Sequence, residues 1–393
     1  MLTGPTNAQA DHAMLPRATL EEEARQEFVA SLKFHVATEL AGTMKDVYLS
    51  RLAPEYERQH GHAPRDVREV AAVMKDQPAY RYWSALQRAS QEMMWHAAQV
   101  PVEREAERIN ANARAVPETR GTLRLDAALE MPRYLAAVDI HCMPGNYHAR
   151  AGGESDLSQG AVYDRGVYIY AMGRLGRRNE DLGASLARHL RGAHPDFRPR
   201  RILDLGCTVG HSTLPYCEAF PDAEIHAVDV AAPMLEYAHA RARALGKVVH
   251  FSQQNAESLD FPDGHFDLVV SHILVHETSH KAIRNIMREA HRVLRPGGLV
   301  AHAETTLYRH MKPYDAFMLD WDARNNNEPY WTAFHHLEPE GLAEETGFGR
   351  ENAFEWSVPS SAALPDADRT SGRFQAGDFG GSGYWYVFGA FRR

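Results

Sequence analysis

Between Arg201 and Thr305, five short apolar runs alternate with amphipathic stretches, and this alternation constrains the fold more than any other feature. The runs are RILDLG (201–206), EIHAVD (224–229), VVHFS (248–252), FDLVVSH (266–272) and GLVAHAET (298–305). Helical patterns at His211–Phe220, Pro233–Leu245 and Ser279–Leu294 lie between most of them. Strands and helices in alternation predict a parallel sheet with helices on both faces, an α/β fold. Further on, PEGLAEETGF reads as a helix, and NAFEWSV and YWYVFGAFRR as strands. The Gly/Ser/Pro-rich stretch between those strands, about 358–383, is expected to form a mobile loop.

Upstream the period is helical. Thr19 and Glu22 have the spacing of a capping box, and Leu20, Ala24, Phe28, Leu32, Val36, Leu40 and Met44 recur every four residues. Helices are expected at Pro64–Lys75, Pro78–Gln99, Val102–Ala115 and Leu123–Val138. A Gly/Pro-rich loop follows at Asp139–Gly160, then one helix from Tyr163 to Leu190. The first 18 or so residues read as frayed, and no strand is expected before about residue 195. The chain thus divides into a helical N-terminal or cap domain, 1–150, and an α/β domain, 151–393.

The net charge of −9 argues against general nucleic-acid affinity, which needs basic patches. No window reaches the ~18 apolar residues of a membrane span, and the N-terminus lacks a basic stretch followed by an apolar one. Cys142, Cys207 and Cys217 form no CxxC pair, which suits a reducing cytoplasm. The adjacent His335 and His336, with Asp320 or Asp322, are a poor chelate, so no metal is expected.

ILDLGCTVGHST (202–213) carries the chemistry. A phosphate-binding P-loop needs GxxxxGK[ST], and no Lys follows Gly210. A dinucleotide fingerprint needs GxGxxG, and Thr208 stands where its middle glycine belongs. Strand, acid, Gly206-x-x-x-Gly210 and helix instead resemble motif I of the class I S-adenosylmethionine-dependent methyltransferases, D-x-G-x-G-x-G. The resemblance implies a Rossmann-like sheet and S-adenosylmethionine as cofactor. It runs in order through Asp229, NAE (255–257), FPDGHFDLVVSHILVHE and REAHRVLRPGGLVAHAE, covering about 200–305. It places Asp204, Gly206 and Gly210 at the cofactor's methionine portion and Asp229 at the ribose hydroxyls. It further places Asn255 and the backbone of Ala256 at the adenine, and Ser271 at the cofactor from the end of the fourth strand. Thr208 fits the turn if it keeps a negative φ.

The acceptor should lie off the carboxyl ends of the strands. His272 and His276 there are the candidate general bases, with Glu277 adjacent. Trp321, Tyr330, Trp331 and Phe334 are candidates for an apolar acceptor pocket. His141, Tyr147 and His148 could close over it, and one of Tyr163, Tyr168 and Tyr170 could meet the cofactor. NEPY (327–330) is similar to the [DN]PP[YF] of amino-methylating nucleic-acid enzymes, but it lies in the wrong place in the chain. The expected function is methyl transfer to a small apolar or aromatic acceptor, on oxygen first, with nitrogen or carbon as the alternative. A non-catalytic binding module is the rival from another class. The N-terminal helices would shape acceptor choice or form a homodimer interface.

Overall fold

The computed structural model of the chain describes residues 9–150, 156–362 and 383–393. Most of the expected loop at 358–383 lies outside the described residues. Its first two residues, Val358 and Pro359, still belong to a strand.

Eight strands form one sheet: β1 Thr122–Arg124, β2 Arg201–Leu205, β3 Glu224–Asp229, β4 His250–Gln253, β5 Phe266–His272, β6 Leu294–Glu304, β7 Ala353–Pro359 and β8 Tyr384–Phe391. Their order is β1-β4-β3-β2-β5-β6-β8-β7. The pairs from β1 through β6 are parallel, and β8 runs antiparallel to both β6 and β7. The central strands are apolar on both faces, as helix-covered parallel strands must be. Ile202 and Leu268 face one core with Leu186 and Leu235, and Leu203 and Val269 face another with Ile286 and Met287. Strand order reverses between β2 and β5, which opens a crevice at their carboxyl ends.

The sequence expectations need correction upstream. β1 is a strand before residue 195, paired through Thr122 to His250 of β4, where a helix was expected. Pro78–Ala115 is one helix running through the buried Pro101, not two. The expected Tyr163–Leu190 helix is two, Ser158–Tyr170 and Asp181–Ala193. The four-residue stripe from Leu20 does not stay on one face: Leu20 is 84% and Phe28 58% exposed. Each step of four residues advances about 40° around a helix of 3.6 residues per turn, so a strict stripe winds off the core. The buried set is instead Val29, Val36, Ala37, Ala41, Met44 and Tyr48, carried along an unbroken helical run to His60 with π-turns at Val36–Leu40 and Tyr48–Leu52.

The N-terminal helices are not a free-standing layer. Val29, Trp95 and Val102 share a core with Val162 and Ile169, and with Met234 and Tyr237 of the Ala232–Ala244 helix. Gly166 makes the approach close: a Cβ there would lie 2.3 Å from the Trp95 ring. Polar contacts fasten the same seam. Buried Asp164 accepts from Tyr237 (2.9 Å) and sits 2.9 Å from His211, 3.1 Å from His12 and 3.2 Å from Arg241. These partners hold its carboxyl well below the usual range against the cost of burial. Residues 9–18 are therefore not frayed, and Met14 is fully buried.

Candidate functional site

The crevice is walled on one side by the turn after β2. Gly206 has φ +67°, and a Cβ there would sit 2.7 Å from Leu274. The amides of Gly206 and Cys207 both donate to the carbonyl of Val228 at the end of β3 (2.8 and 3.1 Å). Thr208 has φ +43°, not the negative value expected. Left-handed backbone at a β-branched residue costs about 1–3 kcal/mol. The bond from its amide to Asp229 Oδ2 (2.9 Å) holds it there. Gly210, φ +77°, closes the turn with a bond to Cys207 and does not reach the crevice wall.

Asp229 lies on the wall, its other oxygen accepting from the Ala231 amide (2.8 Å). Burial pushes its carboxyl up to about 6, although these amides pull the other way. Asn255 and Ala256 line the same cavity, and Asn255 Oδ1 closes an Asx turn onto the Glu257 amide (2.9 Å). Ser271 is off the wall: it is fully buried and bonded to His302 (2.7 Å).

Asp204 also borders the cavity, but its oxygens are engaged. It accepts from the Thr213 hydroxyl (2.5 Å) and from His272 Nδ1 (3.2 Å). His272 Nε2 lies 3.1 Å from the Tyr216 hydroxyl. A carboxylate accepts only, so Nδ1 carries the proton and Nε2 accepts from Tyr216. Both ring nitrogens are taken, and His272 offers none to an acceptor. His276 is fully buried and does not line the cavity; its Nδ1 lies 2.7 Å from Glu304. Burial pulls its pKa down, but the Glu304 carboxylate prevails and holds it at about 9. His272 lines the cavity with both nitrogens engaged and His276 lies off it, so neither is placed as the base expected.

The opposite wall comes from the N-terminal helical layer and the Ser158–Tyr170 helix packed on it. Trp95, Tyr134, Tyr147, Tyr163 and Tyr170 face the cavity, whereas Tyr168 and His148 do not. Trp321, Trp331 and Phe334 are buried in cores elsewhere, and Tyr330 reaches only the ring of Tyr134. Gln91, Trp95 and Tyr134 were missed because their spacing reads as ordinary helix and loop.

His141 stands at this wall on a strained turn. It and Cys142 have φ +55° and +58°. The Gln91 amide and the Trp95 indole N–H both donate to the His141 carbonyl (3.0 and 2.7 Å), which fixes the turn. The ring then bridges two carboxylates: Nε2 lies 3.0 Å from Glu277 and Nδ1 2.7 Å from Glu328. Tyr147 donates to the same Glu277 oxygen (2.7 Å). Strain held by buried hydrogen bonds is a mark of a working site. Glu328 falls within NEPY, and its place beside His141 is set by tertiary packing, which no local pattern reports.

Residues 202–298 match the family described as "Methyltransferase domain". The chain is 40% identical over 100 residues to a demethylmenaquinone methyltransferase of Thermus thermophilus, covering 25% of this chain and 44% of that one. It is 28% identical over 204 residues to the ubiquinone/menaquinone biosynthesis C-methyltransferase UbiE of Vibrio parahaemolyticus (50% and 70%). It is 34% identical over 105 residues to a malonyl-[acyl-carrier protein] O-methyltransferase of Halorhodospira halophila (27% and 35%). The chain thus spans less than half the length of the first and third of these relatives. The crystal structure of YcgJ from Bacillus subtilis aligns over 53% of this chain and 98% of its own, with TM-score 0.36 and 21% identity. Among the described residues no helix is long and apolar enough to cross a membrane.

Proposed function

We propose, from the premise that residues 202–298 are a class I methyltransferase domain, that the chain transfers the methyl group of S-adenosylmethionine to a small acceptor. The acceptor lies under the N-terminal helical layer, and oxygen is its nucleophile. The observation that carries this is one cavity holding both halves of the task. Its sheet side presents the Gly206–Thr208 turn, Asp229 and Asn255; its helical side presents aromatic rings and the His141–Glu277–Tyr147 group.

The residues present fit the cofactor. A carboxylate has room for about four donors. Asp229 uses one for each of two backbone amides, so both oxygens retain capacity for ribose hydroxyls. Gly206 brings backbone without a side chain of its own to the wall, next to Leu274. Asn255 keeps its amide at the adenine end. When bound, the cofactor supplies a sulfonium methyl for in-line displacement. The chain's own residues align the partners and exclude water, and alignment of this kind supplies about 7–11 kcal/mol. Trp95, Tyr134 and Tyr163 suit a flat apolar body. At the polar end Glu277, held ionised by His141 and Tyr147, suits an O–H that must lose its proton. The base role expected of His272 and His276 passes to this group.

Calorimetric titration with S-adenosylmethionine, its demethylated product and NAD tests the reading. Binding of the first two and not the third is expected; binding of NAD alone would sink it. A protein that binds the cofactor yet turns over no hydroxylated, amino or carbon acceptor would be the non-catalytic module instead.

A further inference from the structure

We propose that His141, His276, Glu277 and Glu328 form a binding site for one first-row divalent transition-metal ion at the polar end of the cavity. The four come from distant parts of the chain: a strained turn, the segment after β5 and the stretch before the Trp331–His335 helix. One ligand atom from each lies within 4.8 Å of every other.

Two atoms of this group have no close polar partner although they are buried: His276 Nε2 and Glu328 Oε2. Their residues are at most 1% exposed. Glu328 Oε1 pairs with His141 Nδ1 at 2.7 Å, whereas Oε2 stands 4.0 Å from His276 Nε2, too far for a hydrogen bond. Leaving such atoms unsatisfied is costly, more so for a charged group. A cation at the point they face removes that cost.

The ring of His276 is already oriented for this role. Its Nδ1 is bound to Glu304, whose other oxygen is fixed by the Val275 amide (2.6 Å), so Nε2 is the free nitrogen. A carboxylate behind the imidazole is the usual outer support of a metal-bound histidine. Ligands about 2.1 Å from one ion stand at most ~4.2 Å apart, so the set must contract by ~0.6 Å. Side-chain rotation supplies that much. Two imidazoles with two carboxylates select zinc, manganese or iron(II) over magnesium and calcium, which take oxygen sets. Glu277 and His141 line the cavity while His276 and Glu328 lie behind them, so the ion's open positions face the cavity. Resting on the methyl-transfer reading, those positions take an oxygen of the acceptor and orient it.

Chelator-dialysed full-length protein is titrated with ZnCl2 and MnCl2, with MgCl2 as contrast, and bound metal is counted after gel filtration. One equivalent of zinc or manganese and none of magnesium is expected. The double variant H276Q/E328Q should lose at least tenfold in metal affinity while its S-adenosylmethionine affinity stays within twofold. No uptake by the wild type, or equal uptake by the variant, overturns the site. If the variant does not fold, CoCl2 added to the wild type decides. Visible ligand-field bands saturating at one equivalent support the site, and the spectrum of aqueous cobalt alone overturns it. Cofactor binding without metal would sink only this inference; metal binding without cofactor would sink only the methyltransferase reading.

Discussion

His272 Nδ1 lies 3.2 Å from Oδ1 of Asp204, and the pair is buried at the base of the cofactor turn. With Thr213 and Tyr216 at the outer ends, four side chains form one continuous chain of hydrogen bonds. Strand end, turn helix and β5 are thereby locked in register.

Replacing His272 with Ala leaves a buried carboxylate and a buried tyrosine hydroxyl without their partner. A loss of about 1–3 kcal/mol in stability is expected, read as a lower urea midpoint at unchanged slope. His272→Gln, which keeps some of the bonding, should recover part of it. A rate loss of about 10²-fold in His272→Gln with unchanged stability would restore it as a base.

Asp229→Ala should weaken S-adenosylmethionine at least tenfold by calorimetry. Bonds from hydroxyls to a charged acceptor contribute about 1.5–3 kcal/mol each, not additively. The variant loses the Thr208 anchor too, so Asp229→Asn, which keeps an acceptor oxygen, separates the effects. An unchanged dissociation constant in both would make Asp229 a turn residue only.

The same group sets a pH dependence. Burial raises the Asp229 carboxyl to about 6 in the free protein. Ribose hydroxyls donate to the ionised form, so affinity should rise with pH through about 6 and level off above it. Its contribution to folding has the opposite sense. The folded value lies above the unfolded one, so fold stability from this group falls as pH rises between about 4 and 6. Binding measured from pH 5 to 8 checks the first, and Asp229→Asn should flatten the profile.

Asp164 should act in reverse on stability. Its carboxyl is held low in the fold by Arg241, His211 and His12. The stabilisation is therefore full above the unfolded carboxyl value near 4 and is lost as pH falls toward the folded one. Acid titration of the unfolding midpoint should show a steeper drop in the wild type than in Asp164→Asn. Parallel curves would mean that the seam does not depend on that charge.

Trp95→Phe removes the indole N–H that binds the His141 carbonyl at 2.7 Å. The His141 carbonyl then keeps the Gln91 bond of the two. Acceptor KM should rise and kcat fall by roughly tenfold, about 1.4 kcal/mol, with cofactor affinity intact. Tyr147→Phe should give the same split, since its hydroxyl fixes Glu277. Loss of cofactor affinity in either variant would place the acceptor end elsewhere.

The α/β half was legible because its signals are local. β3 and β5 begin and end where the alternating runs Glu224–Asp229 and Phe266–His272 do. Asp229 could be found because it ends a strand at the expected distance from Gly210. The helical half was less legible. The strict stripe from Leu20 ignored the drift of a helix, and Pro101 suggested a break that packing on both sides overrides. β1 has three residues and takes its pairing from β4, so its own pattern is too short to declare it. Ser271 points away because neighbouring residues of β5 face opposite sides. The His141–Glu328 group joins positions far apart in sequence, and only folding brings them together.

The pairing of Thr122 with His250 spans 128 residues, and the seam that holds Trp95 waits on Met234 and Tyr237. During synthesis at about 5–20 residues per second, the N-terminal helices leave the ribosome roughly 6–25 s before their covering partner exists. For that interval the side of this core that Met234 and Tyr237 cover stays open, while Val162 and Ile169 can already pack on it. The nascent chain thus carries an open apolar seam midway through translation, and the Ala232–Ala244 helix is the element that closes it.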